Sequence, residues 1–503
     1  MGLVGEVLEP LQSVDARRDE ARAPCVYSKA RFLIPPMVKI SGLQRRLLRG
    51  GFSTLVMRVY TLGVTLAMHS FLTRSLPNAE YGRFIVGINT MIFLSILAMG
   101  GMNQSIVKFV SGDACGSLDQ TIGLWKRIRK LVLFTLLIVG CVGAVALTGP
   151  FGARIGLSRH LVLPVVACAC ALAFQQLLGV GLRSLHAMPF ASLVDGRSGG
   201  GVSKTIFFAL CVLTVFSGQV LSGRLCFLLM LIGLVCTLPF GGLLLSKTWR
   251  KYSKRRMEAE ADIDQDTRTI PYGEIAGAST TLLLTQVLAF LTTQSGIWLA
   301  GGYASAPDTA LYGSARWLVL QTMAPLQVLN AALASSIAQL YSQGRRVELE
   351  NMMRSTATIS AIVTLSTLGF LVVFNQFVLR TLYGDFYANA GVVLCIFAAG
   401  QAVRSFGGNS GQMLALSGKF RAILIINLVA TIFQISCGIW SIQNYGIRGL
   451  AISTTMVTIC VAVAQWVTAR YLSGVWTHPT VSPLAAFRSL GRSVGREPSA
   501  QSS

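Results

Sequence analysis

The chain has 503 residues, 53% of them hydrophobic and only 13% charged, with a mean hydropathy of +0.61. A water-soluble domain carries about 25% charged residues, so half that fraction leaves too little polar surface to coat a soluble globule, and the excess apolar surface must face lipid. The net charge of +23 is spread along the chain and alternates from loop to loop, which excludes a nucleic-acid-binding protein.

Residues 1–50 carry both charge signs and lack the apolar core of a cleaved signal, so they read as a cytoplasmic N-terminal tail. Apolar runs long enough to cross a hydrocarbon core then follow almost without pause. They lie near 52–76, 84–110, 131–151, 161–182, 202–222 and 225–246, and then near 273–301, 311–341, 357–379, 388–412, 422–442 and 446–472. The expectation is an all-α polytopic membrane protein of about 12 transmembrane helices. Residues 51–246 form one six-helix bundle and 272–475 the other, with a charged cytoplasmic linker at 247–271 and a cytoplasmic C-terminal tail at 476–503. Alternate loops concentrate the basic residues, among them Lys126, Arg127, Arg129 and Lys130, then Lys247 through Arg256, then Arg345 and Arg346. The positive-inside rule places these loops and both termini in the cytoplasm.

Polar residues inside the spans mark what each helix keeps away from lipid. On the first helix Thr54, Arg58, Thr61, Thr65 and His69 fall within about 80° of one another on a helical wheel. A lipid-facing arginine at mid-membrane costs at least about 2.5 kcal/mol, so this stripe faces protein or a wet cavity. Lys108 continues a polar line on the second helix, and Ser279, Gln286 and Thr293 recur at heptad spacing on the seventh. Tyr312, Arg316, Gln327 and Asn330 share one side of the eighth, with Pro325 as a possible bend, and Arg404 with Gln401 marks the tenth. Carboxylates sit only at turns or helix edges (Glu80, Asp113, Glu274, Asp308, Asp385), so the interior is expected to be polar and positive. An acid-free cationic cavity suits an anion, and guanidinium binds phosphate and pyrophosphate bidentately.

Enzyme and metal motifs fare poorly. The Asp262–Asp266 run opens like a calcium loop, but Thr267 stands where glycine is needed and Gly273 where glutamate is needed. The four histidines are scattered, and most cysteines lie in apolar runs as small hydrophobes. No enzyme activity, cofactor or metal is expected.

A faint duplication joins the halves. Tyr81–Gly82 and Tyr312–Gly313 each open a helix, 231 residues apart, and each helix carries Ser-Ile further on. Segments 182–192 and 411–421 match at nearly the same offset. Six helices per half would give both halves the same orientation about an axis along the membrane normal.

Several segments carry a resemblance: RSLPNAEYGRF after the first helix, LYGSARWL, LYGDFYANAGVVLCIFAAGQ, MLALSGKFRAILIIN and QNYGIRGLAISTTM. With these the chain resembles the polysaccharide-transport (Wzx-like) flippases of the MOP/MATE exporter superfamily over about residues 50–475. The resemblance implies a V-shaped pair of six-helix bundles around a central cavity lined by the first and seventh helices. It also implies a flippase that moves polyprenyl-pyrophosphate-linked oligosaccharide repeat units across the bacterial inner membrane for surface polysaccharide or exopolysaccharide biosynthesis. Substrate-binding positions would then be Arg58, Thr65, His69, Lys108, Gln286, Arg316, Gln327, Asn330 and Arg404. Partners would be the lipid-linked oligosaccharide, membrane lipids, and a polysaccharide polymerase with its chain-length and export machinery. The alternatives are a MATE-type drug or small-solute exporter, a lipid II flippase, and a membrane polymerase or ligase.

Overall fold

The computed structural model describes residues 40–103, 118–185, 187–195, 200–260, 272–324, 326–327, 337, 340–341 and 343–480. Everything described is helix, turn or connecting segment, with no strand among the described residues. This follows from lipid itself: with no water to satisfy backbone N–H and C=O groups, a spanning segment must bond internally. The residues from Leu47 onward cluster as one compact unit, and the packing below concerns that unit.

The N-terminal half contains α1 (Ile40–Ser75), α2 (Asn78–Ala98), α3 (Leu118–Thr148), the short α4 (Pro150–Arg154), α5 (Arg159–Ser184), the short α6 (Met188–Val194), α7 (Gly201–Phe216) and α8 (Gly223–Glu260). The C-terminal half contains α9 (Tyr272–Tyr303), α10 (Ala306–Gln321), α11 (Arg346–Val373) and α12 (Asn375–Tyr383). A 3₁₀ turn (Asp385–Ala390) then leads to α13 (Gly391–Phe406), α14 (Ser410–Leu416) and α15 (Phe420–Ser473). Eight described helices are long and apolar enough to cross a membrane.

The last of these, at 54 residues, is a hairpin and not a rod. Gly446 breaks it at φ +60°, ψ −152°, a left-handed backbone that only glycine adopts without strain. Beyond the break the chain returns along itself, so that Gln434 Nε2 donates to Thr454 Oγ1 over 3.0 Å. In a straight helix those residues would lie about 30 Å apart.

Two departures from the sequence reading concern helix ends. The sixth span does not stop near residue 246: α8 continues through the basic run to Glu260. The eighth does not run unbroken from 311 to 341 either: α10 ends at Gln321, with turns at Thr322 and Met323. In the sequence Pro325, which has no N–H to offer the carbonyl of Gln321, follows this break.

Composition alone does not decide which helix is central. α3 is strongly apolar, yet only 17% of its most apolar window is buried, and Leu137, Val142 and Val145 are exposed as lipid-facing side chains are. For α2 the buried share is 72%, because it forms the seam with the C-terminal half. There the duplicated Tyr-Gly pairs meet. A Cβ on Gly82 would collide with the backbone of Ala306 and Ala310 of α10, and one on Gly313 would strike the Ile85 side chain of α2. Small residues at such crossings let two backbones approach, which is how helices associate in lipid. Along the same seam Asn89 Nδ2 donates to the carbonyl of Gln294 over 3.2 Å, and Trp298 Nε1 to Thr90 Oγ1 over 3.0 Å. At the far end Gly101, at φ +76°, lies against the backbone of Ser279 and Leu283. The contact with α9 therefore extends from Val86 to Gly101 on one side and from Ser279 to Gly301 on the other.

The segment after α15 is packed. Val475 and Thr477 are buried, Thr477 Oγ1 donates to the carbonyl of Gly407 over 2.9 Å, and Thr480 N donates to Thr358 Oγ1 over 2.8 Å. His478 lies among Trp466, Trp476 and Arg354. Of the expected C-terminal tail, 476–480 is thus a strap against α11 and α13, and 481–503 falls outside the described residues.

Gly82→Val is expected to destabilise the seam by about 1–3 kcal/mol through overpacking, whereas Gly63→Ala on α1, with open space at its Cβ, leaves stability unchanged or slightly raised. Thermal melts of the purified proteins check this. Partial burial, reinforced by the Arg354 guanidinium against the opposing pull of Glu350, holds the His478 imidazole below its usual value of 6.5. The unfolded chain therefore binds the proton more readily. The stability the strap contributes is present above about pH 6.5 and is lost as pH falls through the lowered folded value. Hydrogen exchange of residues 474–480 at pH 7.5 and pH 5 is expected to show that loss in the wild type and not in His478→Phe.

Candidate functional site

Between the two halves lies a cavity of about 1220 Å³. Its N-terminal wall comes from α1, α2, α5 and α7, and its C-terminal wall from α9, α10, α13 and the turn after α10. The stripe on α1 is on the wall: Arg58, Thr61, Thr65 and His69 all line it, and the side chain of Thr54 lies outside the described residues. The opposite face, including Val56 and Val59, is exposed, although Val59 also reaches the cavity edge. From the other half Gln286, Arg316, Gln327 and Arg404 line the same space. Seven of the nine residues expected to bind substrate are thus brought together. Lys108 and Asn330 lie outside the described residues. Tyr312 shares a helix with Arg316 but turns away from the cavity, and its hydroxyl pairs with Thr454 Oγ1 at 3.0 Å.

Electrostatics distinguish this cavity. Among the described residues Arg58, Arg183, Lys204, Arg316 and Arg404 line it, against one carboxylate, Asp195, which forms an ion pair with Arg183. The expectation of an acid-free interior is corrected by Asp195, which is almost fully buried. Sequence reasoning missed these residues for physical reasons. Arg183 and Asp195 flank α6 and read as members of a loop, and Lys204 sits one turn into α7, where a lysine reads as snorkelling to the interface. The signal that remained was their separation of twelve residues with opposite charge across a short helix, which is enough to bring them together.

Aromatic and polar contacts close one end. The His69 ring lies 4.4 Å from that of Trp317 across the two halves, and His69 Nδ1 shares a hydrogen bond of 2.9 Å with the Tyr81 hydroxyl. The Tyr81 ring meets Tyr387 edge-on at 5.9 Å, and Tyr387 meets Tyr383 at 5.8 Å. Ser70 Oγ donates to the carbonyl of Leu382, and Arg74 to that of Thr381. These contacts gather where α1 ends and α2 begins, against α12, the 3₁₀ turn and Trp317 of α10. Arg183, Asp195 and Lys204 lie toward the other end, with the start of α1. His69 is accordingly part of the closure as well as of the wall. Among the described residues no cluster of His, Cys, Asp or Glu is placed to hold a metal.

No family profile matches the chain, and no curated protein matches it by sequence. Solved structures do match its fold. An inward-facing multidrug-resistance MATE-family transporter of the MOP superfamily aligns with a TM-score of 0.58 at 14% identity, over 84% of this chain and 98% of that one. A MOP-superfamily transporter from Pyrococcus furiosus, described as having a binding pocket of reverse polarity, aligns with a TM-score of 0.58 at 14% identity over 86% and 96%. The lipid II flippase MurJ in an inward closed conformation aligns at 0.57 and 11% identity over 88% and 91%. The chain is an all-helical membrane protein with the fold of the MATE transporters, and at these identities the likeness is one of fold.

Removing Arg183 alone would leave the Asp195 carboxylate buried without its ion-pair partner, at a cost of about 3 kcal/mol. Arg183→Ala is therefore expected to lower thermal stability more than Asp195→Asn does. The double variant Arg183→Ala/Asp195→Asn should regain much of the loss, as a double-mutant cycle of melting curves will report.

Proposed function

We propose that the protein is a flippase that moves polyprenyl-pyrophosphate-linked oligosaccharide repeat units across a bacterial inner membrane for surface polysaccharide synthesis. The observation that carries this reading is the charge of the cavity, five cations to one paired carboxylate. A drug–cation extruder would require the opposite sign, because a cationic guest in this space would meet net repulsion. A pyrophosphate offers two phosphoryl groups to guanidinium and ammonium donors drawn from both halves.

Size supports the same guest. At about 1220 Å³ the cavity exceeds the ~300–1,000 Å³ usual for drug-sized ligands, leaving room for several sugar rings beside the pyrophosphate. Arg58, Thr65, His69, Gln286, Arg316, Gln327 and Arg404, with Lys204, would contact the headgroup, with Lys108 and Asn330 completing the set. Twelve crossings follow if α15 counts as two and α1, α7 and α10 also span. The basic clusters then place both termini in the cytoplasm, so the closed end faces outward and the cavity receives substrate from the cytoplasmic side. Transport would break the contacts around His69 and Trp317 and re-form a closure at the other end. A polysaccharide polymerase and its chain-length and export machinery would take the flipped unit onward.

A lipid II flippase would use the same pyrophosphate chemistry, and the likeness to MurJ keeps that reading beside the first. Deletion of the gene, followed by analysis of lipid-linked intermediates, separates them. Completed repeat units are expected to accumulate on the cytoplasmic leaflet, with rescue by the wild type. Loss of one charge-assisted contact costs about 1.5–3 kcal/mol, so Arg58→Ala or Lys204→Ala should cut export roughly 10- to 100-fold at equal protein level, and Arg58→Lys much less. Accumulated lipid II would assign the second reading. Intact surface polysaccharide with altered drug tolerance would overturn both.

A further inference from the structure

A second, much smaller cavity of about 20 Å³ lies within the C-terminal half, walled by α9, α10, α13 and the return limb of α15. We infer that it holds a single-atom anion, chloride under cellular conditions, between Arg316, Arg404 and Gln401. The inference goes beyond the flippase reading, because this space is too small for any part of a glycolipid headgroup.

Two buried donors on the wall have no acceptor. Arg316 is 5% exposed and Gln401 3%. One terminal nitrogen of Arg316 donates to the carbonyl of Thr293, and the guanidinium carbon lies 5.4 Å from the centre of the Phe397 ring, which fixes the group in place. Its Nε–H is left with no partner, as is the side-chain amide nitrogen of Gln401. Buried donors in a packed protein are almost always met, so each of these calls for an acceptor in the space they face. The three threonines on the wall already direct their hydroxyl protons elsewhere. Thr293 donates to the carbonyl of Ala289, Thr455 to that of Ile396, and Thr458 to that of Thr454.

Charge decides between water and an ion. Arg316 and Arg404 both line this space, and no carboxylate does. A water would accept from the two donors yet leave the buried Arg316 charge without a counter-charge, with the Arg404 guanidinium, which is exposed, on the same wall. An anion meets both needs at once. Volume decides which anion. A water needs about 10–15 Å³ of such space, so 20 Å³ admits one atom-sized occupant and excludes sulfate and phosphate. The same two arginines also line the main cavity. The bound ion therefore ties α10 to α13 and lowers the positive charge presented to the substrate, and its departure restores that charge.

The test uses the purified full-length protein. Its thermal stability is measured in sodium chloride and sodium bromide against sodium gluconate and sodium sulfate at matched ionic strength. Binding to the native state alone makes the melting temperature climb with the logarithm of halide concentration. Gln401→Leu and Arg404→Gln are each expected to raise the half-effective halide concentration roughly tenfold or more, with melting in gluconate as the control for folding. Crystals of the wild type soaked in bromide should show anomalous scattering between the three side chains, a readout that holds even if both variants fail to fold. Stabilisation by all four salts alike, an unchanged halide response in both variants, or bromide only at adventitious surface positions would overturn the inference. None of these readouts involves transport, so their failure leaves the flippase reading standing, and failure of glycolipid export leaves the ion site standing.

Discussion

The structure depends above all on the cost of placing a cation in hydrocarbon. Arg58, Lys204, Arg316 and Arg404 belong to α1, α7, α10 and α13, of which α13 with the 3₁₀ turn before it is long and apolar enough to cross a membrane and α7 is a shorter apolar helix. Each would cost at least about 2.5–3.5 kcal/mol if it faced lipid at mid-depth. That penalty sets the rotation of α1, α7, α10 and α13 about their own axes. Once the four helices are turned inward, their positive faces oppose one another and cannot close down without a counter-charge. The cavity is the outcome: the halves stay apart where the cations are and touch where the faces are small or aromatic.

The contacts that join the halves are of two kinds. Where α2 meets α9 and α10 the join is backbone against side chain and backbone against backbone, through Gly82, Gly101 and Gly301, with Phe93, Phe290 and Trp298 filling the gaps. Such packing separates only with loss of the whole seam. At the closed end the join is made of a few side chains: His69 on Trp317, Tyr81 on Tyr387, Ser70 and Arg74 on the backbone at Leu382 and Thr381. Hydrogen bonds of this sort contribute about 0.5–1.5 kcal/mol each and re-form with water when broken. Under the proposed flippase reading, a permanent seam beside a breakable gate would suit rocking of one half against the other.

Much of the site was legible in the sequence, because a cation or amide in an apolar run stands out and its angle on the helix follows from its number. The stripe from Arg58 to His69 was readable in this way, and so were Gln286, Arg316 and Arg404. Lys204 was passed over, since a lysine one turn inside a span is ordinarily a snorkelling residue. Asp195 was passed over because it stands outside every apolar run, in a segment that the fold carries back against the cavity wall beside Arg183. Tyr312 shows the converse error. Its wheel position is close to that of Arg316, yet Gly296 opens a slot on α9 and the ring drops into it toward Thr454.

Legible in the residues alone were the membrane-protein class, the approximate position of the apolar runs and the faces of the helices that avoid lipid. All of these follow from local composition and a period of 3.6 residues. Only the tertiary structure decided that residues more than three hundred positions apart, such as Arg58 and Arg404, share one space. The same folding sets which end of that space is closed and pairs Asp195 with Arg183. The reason is geometric. Periodicity fixes the direction of a side chain relative to its own helix, while the neighbour it meets is chosen by the crossings that glycines such as Gly82 and Gly101 permit, and those depend on helices distant in the chain.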